Sequence, residues 1–254
     1  MKTLIETECI SIEIIDVEGA TLKTLGFTSV ESFCRHVRHN ALPEGRAYSL
    51  PEGLDLRGGY LRGAKLAGAH MPGVNLEGVC LSEADLTGAN LEGANLDGAS
   101  LKAACLRGAR LVQARLVAAG MWWTNLAGCD LEGADLRHVN LNGGCAEAAN
   151  FNGADLGAAA LAWIDFEAAN MEGASLRNAY VRGSFFRGAD LRGADATGAF
   201  LDGVDFCTAY LEGLRVENAD MRGVHVHSKQ MKATEGKPTI APPVMAERIE
   251  REGA

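Results

Sequence analysis

Stepping by five residues from Leu56 to Val226 visits thirty-five positions, and all but Ala146 and Ala196 carry a large apolar side chain. The stretch at 84–101, ADLTGANLEGANLDGASL, shows the unit plainly. The position two before each centre is small, mostly Ala, as at Ala84, Ala89, Ala94 and Ala99; Ile164 and Leu214 are the bulky exceptions. The position two after each centre is usually Gly, and the other two are polar and variable. No insertion breaks the register. Neither a helix, with its period of 3.6, nor a strand, with its period of 2, repeats every five residues.

A bend in every unit solves this problem. It returns each large centre to the inside, with one small residue beside it, and leaves three positions facing water. Glycine near the bend supplies the backbone freedom a tight turn needs. Composition agrees: 47% of residues are hydrophobic, but only 6% are aromatic and 31 are Gly. Such a chain packs small side chains against backbone and winds into a solenoid whose turns stack on one another.

With these units, the chain resembles the pentapeptide-repeat family, whose motif is A(D/N)LXX. The resemblance covers residues 54–228. It implies an all-β fold, a right-handed quadrilateral parallel β-helix with four units per coil. That makes about nine coils, and at about 4.8 Å between stacked strands a tower on the order of 40 Å tall. Both ends of such a tower expose unpaired backbone and need covering.

Two flanks are available. In residues 1–53, CISIEIIDV (9–17) alternates like a strand and VEGATLKTL (17–25) reads as a turn and second strand. TSVESFCRHVRHNA (28–41) reads as a helix, opened by Thr28 and Glu31 in capping-box spacing, with Val30, Phe33, Cys34 and Val37 on one face. A small α/β N-terminal cap is expected. Residues 229–254 read as a Pro-containing linker and a short, flexible C-terminal tail. In several members of the family a C-terminal helical segment makes a homodimer, so the resemblance raises that role for this tail.

The sequence supports no enzyme. Glycines that fall near phosphate-loop spacing belong to the five-residue repeat, as do the carboxylates, so neither marks a site. Cys34, His36 and His39 could form a metal trio, but a solvated helix face is the stronger expectation; His225 and His227 are expected at the surface of the last coil. The seven cysteines are odd in number and lack C-x-x-C spacing, which argues for reduced thiols buried as small hydrophobes. No cofactor is expected. Acids interrupt every apolar run near Met1, and no run approaches the ~20 residues that cross a membrane, so a cytoplasmic protein without membrane contact is expected.

What remains is a surface. With twenty residues per coil, Trp122 and Trp123 point outward, and Trp163 occupies the slot of Trp123 two coils later. Val117 borders them. Exposed apolar patches mark partner sites, and Trp is enriched in binding hot spots. Val117, Trp122, Trp123 and Trp163 are therefore the expected contact for a protein partner, either a second copy of the chain or another protein. Arg177, Arg182, Arg187 and Arg192 form a belt with one Arg per side, expected to make surface ion pairs.

The alternative site is acidic. The formal charge is −9, and Glu92, Glu132 and Glu172 recur every forty residues on one side, with Asp130 nearby. A rod with regular negative charge imitates duplex DNA. Some members of the family bind DNA gyrase or topoisomerase IV in this way, so the resemblance makes a type II topoisomerase a candidate partner. Direct nucleic-acid binding is not expected, because the charge has the wrong sign.

Overall fold

A computed structural model describes residues 10–16 and 18–231. From Asp55 onward the chain pairs with itself at a constant offset of twenty residues. One column of parallel bridges runs through Asp55, Asn75, Asn95, Arg115 and Asp135, and continues to Arg215. Each bridge is single, so the chain never forms a long strand; it makes one short pairing per side and bends. Within a unit, the Ala94 N–H donates to the Leu91 carbonyl at 3.0 Å and closes the turn. Between coils, Leu91 N–H donates to Arg110 O at 2.7 Å and Gly93 N–H to Val112 O at 2.9 Å. Backbone polarity is thus satisfied coil to coil, as a buried spiral requires.

The centres and their small partners fill the axis. From Leu56 to Met221 every centre is 2% exposed or less. Four rings extend the apolar column: Phe151 meets Phe166 edge-on at 5.7 Å, Phe166 stacks on Phe186 at 4.8 Å, and Phe186 meets Phe206 at 5.2 Å. Outside, Asn and Asp side chains stack across coils, as where Asn150 donates to Asp130 and Asn170 donates to Asn150.

The N-terminal unit holds β1 (Ile10–Asp16), β2 (Thr21–Phe27), α1 (Val30–His39) and β3 (Arg46–Ser49), with strand order β2-β1-β3, all antiparallel. The third strand is an addition to the expected strand–strand–helix unit. Its four residues are too few to show alternation, and its pairing partner β1 is distant in sequence. The helix cap also differs from expectation. Ser29 and Ser32, not Thr28 and Glu31, make the reciprocal box, and Glu31 instead pairs with Arg35 at 2.8 Å. The unit is joined to the solenoid by backbone bonds: Leu50 N–H to His70 O, His70 N–H to Tyr48 O and Lys65 N–H to Val37 O.

The possible metal trio is divided by the helix. Cys34 is buried, His36 packs between Phe27 and Tyr48, and His39 is exposed. His36 is therefore not on a solvated face; burial, with Lys23 nearby, holds its pKa below the usual value. At the other end α2 (Ser228–Met231) follows the last coil. The Gln230 amide donates to the carbonyls of Phe206 and Ala209, occupying acceptors at the open end. Beyond Met231 the expected linker and tail lie outside the described residues.

Candidate functional site

The three tryptophans lie on one side of the spiral, whose centres are Leu101, Met121, Leu141, Leu161 and Val181. Trp122 is 40% exposed, and Trp123 and Trp163 are 63% exposed. Trp123 and Trp163 sit at the corner position where the backbone is left-handed, with φ of +57° and +61°. Most units place Gly there, because a side chain in this conformation costs about 1–2 kcal/mol. The next coil makes room for each ring. A Cβ on Gly143 would meet Trp123 at 2.8 Å, and a Cβ on Gly183 would meet Trp163 at 2.6 Å. Each indole thus lies over a glycine one coil on, and the two are about 10 Å apart along the axis. Trp122 instead folds back over Gly120, two residues earlier in its own coil, and the Lys102 ammonium stands 5.1 Å above the Trp123 ring. Val117 is half-buried on the adjoining side, its N–H donating to Asp97.

The backbone beneath Trp163 is unusual. In the ordinary unit the small residue's N–H closes the turn on the centre three residues back, as Ala64 does to Leu61. Ile164 departs from this: its N–H donates instead to the Ser184 hydroxyl at 3.0 Å, although the equally bulky Leu214 keeps the ordinary bond to Leu211 O. That hydroxyl donates to Leu161 O at 2.6 Å. A fully buried serine is thereby inserted into the turn directly after Trp163.

The aromatic surface extends further than the tryptophans. Tyr180 and Phe200 occupy successive coils of the same side, 43–53% exposed, with rings parallel within 4° at 4.7 Å. Phe185 and Tyr210 are also exposed. All four stand in the slot where Asp and Asn are the commonest residues. The normal carboxylate or amide accepts the N–H two residues on, as Asp165 does from Glu167. An aromatic ring forfeits that bond. Sequence reasoning followed the tryptophans and passed over these four, although aromatics in the Asp/Asn slot were visible in the register.

A profile for pentapeptide repeats matches in eight copies, over residues 52–82, 80–116, 114–153, 149–188 and 184–223. The chain belongs to the pentapeptide-repeat family. Comparison with curated proteins finds no match. Among solved structures, a trypsin-treated variant form of QnrB1, a plasmid-mediated fluoroquinolone resistance protein, is 19% identical with a TM-score of 0.50, over 80% of this chain and 97% of that one. HetL of the cyanobacterium Nostoc sp. strain PCC 7120, a pentapeptide-repeat protein involved in heterocyst differentiation regulation, is 27% identical over 76% of this chain and 91% of that one, with a TM-score of 0.39.

In this pentapeptide-repeat chain the belt arginines, Glu92 and Asp130 are paired, whereas Glu132 and Glu172 are exposed and make no ion pair among the described residues. Arg177 bonds Asp195 at 2.8 Å, Arg187 bonds Asp205 at 3.1 Å, Arg192 bonds Asp190 at 2.5 Å, and Arg182 lies 3.4 Å from Asp202. On the acidic side Arg110 sits between Glu92 at 3.0 Å and Asp130 at 3.5 Å. Its guanidinium holds the Glu92 carboxyl below the usual range. Arg192 interrupts the same column between Glu172 and Glu212. A hollow of about 780 Å³ between the N-terminal unit and the first coils is lined by both signs, with Arg46, Lys65, Asp16 and Asp85. Among the described residues no three His, Cys, Asp or Glu side chains come together as a metal site, and no helix is long and apolar enough to cross a membrane. The six cysteines described are free, and burial pushes the Cys129 thiol up to about 12.

The paired carboxylates set a pH dependence. Hydrogen bonds from Arg57, Arg137, Arg192 and Arg222 hold Asp55, Asp135, Asp190 and Asp220 below the usual range, against a smaller opposing effect of burial. Their contribution is present above the unfolded pKa of about 4 and is lost as pH falls through the lower folded values. The urea midpoint is expected to be lower at about pH 3 than at about pH 6, and about 0.5 M salt is expected to narrow the gap. Equal midpoints would show that the pairs contribute nothing.

Proposed function

We propose that this chain is a non-enzymatic interaction module: a soluble, right-handed tower of about nine coils, capped by its N-terminal unit, that displays Trp122, Trp123 and Trp163 to a protein partner. The observation that carries this is the backbone under the rings. Two indoles occupy a left-handed corner that disfavours them, each laid over a glycine of the next coil. Fold stability gives no reason to put Trp at that corner, whereas a rigid, preorganised aromatic surface gives a binding reason. Val117 belongs to the rim of this surface. A second copy of the chain and a different protein are both compatible occupants.

The corner also supplies the test. Trp123→Gly with Trp163→Gly restores the residue that the turn prefers, so the fold is expected to hold at wild-type stability or above. Binding is expected to fall by at least about 2 kcal/mol, roughly thirtyfold, for hot-spot residues. Sedimentation of both proteins reads self-association, and parallel capture from cell extract reads other partners. An identical oligomeric state and identical captured proteins for wild type and variant would sink the proposal.

The acidic alternative, a DNA-mimic modulator of a type II topoisomerase, finds less support. QnrB1 shares the fold, but Glu92 and Asp130 here share one arginine. A gyrase supercoiling assay separates the two: inhibition or drug protection that survives the double Trp→Gly change would favour the alternative.

A further inference from the structure

We infer that the lower aromatic pair, Tyr180 and Phe200, is the docking surface for the chain's own uncharged segment at 238–245, Pro-Thr-Ile-Ala-Pro-Pro-Val-Met. The stacked pair is 43–53% exposed and stands in a slot the repeat gives to Asp or Asn. Each ring gives up the turn hydrogen bond that an Asp or Asn there makes, as Asp165 does with the Glu167 N–H. Two such losses on consecutive coils, producing one flat apolar face, call for something apolar to cover it.

The occupant follows from position. Gln230 ties the chain to the carbonyls of Phe206 and Ala209, at the end of the tower nearest this pair. Phe200 bridges Asp220 and Tyr180 bridges Phe200, so the rings lie about 5 and 10 Å back along the axis from the last coil. The seven residues from Met231 to Pro238 span up to about 23 Å, which reaches either ring. Residues 238–245 carry no charge, whereas Lys237 and Glu247 stand just outside the run. Proline-containing extended segments dock on aromatic surfaces, and their stiffness lowers the ordering cost. A short tether holds the segment at an effective concentration on the order of 1 mM, so a weak contact suffices.

The proposal does not depend on the partner site at Trp123 and Trp163, because its readout is intramolecular. Hydrogen exchange in the full-length chain reports on the amides of Thr239, Ile240, Ala241, Val244 and Met245. They are expected to exchange at least about tenfold more slowly than in an unstructured peptide, at the same rate in dilute and concentrated protein. Phe200→Asp and Tyr180→Asp restore the repeat's own residue type and keep the fold, and each is expected to remove the protection. A photo-reactive benzoylphenylalanine at position 180 is expected to cross-link within the chain to 238–245. Absent protection, protection that survives both variants, or cross-links formed only between two chains would overturn the assignment.

Discussion

Phe186→Ala is expected to lower unfolding stability by about 3–5 kcal/mol. The ring is fully buried on the axis, stacked on Phe166 at 4.8 Å and touching Phe206 at 5.2 Å. In a globular core the neighbours of a deleted ring relax from several directions. Here the coils above and below are held at their spacing by the backbone bonds Phe166 N–H to Phe185 O and Phe186 N–H to Asp205 O, so the walls do not collapse inward. Residual cavity volume raises the cost. Because each coil touches only its neighbours, the loss falls on one interface. Unfolding is therefore expected to divide, with the coils after Phe186 melting before those of Leu81 to Leu141. Urea denaturation followed by circular dichroism reads both effects. A single transition at the wild-type midpoint would refute the assigned core.

Ser184→Ala is the second large effect, and it runs against the repeat. Alanine is the commonest residue at this position, so the repeat alone would mark the change as harmless. The structure makes Ser184 the partner of both the Ile164 N–H and the Leu161 carbonyl, in a fully buried site. Removing the hydroxyl strands two groups at about 1–3 kcal/mol each, for an expected loss of about 2–4 kcal/mol. The turn that loses support follows Trp163 directly, so its fluorescence is expected to change as well. Thr124 donates to Leu101 O from the equivalent position, so Ser184→Thr is expected to keep much of the stability. Ile164→Ala with Ser184→Ala lets the ordinary turn re-form and is expected to cost less than Ser184→Ala alone. A double-mutant cycle measures that coupling. Additive losses would show that the serine does not replace the turn bond.

Much of this protein was legible before any coordinates. The five-residue spacing of large centres, the small companions and the glycines specify a bend per unit, because only that geometry buries both apolar positions. The offset of twenty is what the resemblance to the pentapeptide-repeat family implies, with four units per coil, and the shared side of the tryptophans follows once that coil length is taken. The N-terminal strands and helix were visible in their own periods, since β1, β2 and α1 each hold enough residues to show one.

The remainder depended on contacts between distant residues. Strand β3 exists because β1 and the first coil offer it partners, not because RAYS has a pattern. The helix cap went to Ser29 rather than Thr28 because the N-cap is set by where the helix begins, and the two hydroxyls differ by one residue. The serine bracket beneath Trp163 joins residues twenty apart, and the arginine between Glu92 and Asp130 pairs with two members of a surface that the spacing alone had made acidic. Local periodicity determines which side chains face inward, because each unit repeats the same bend. Which outward side chains meet depends on the distance between coils, and that distance exists only once the chain has wound.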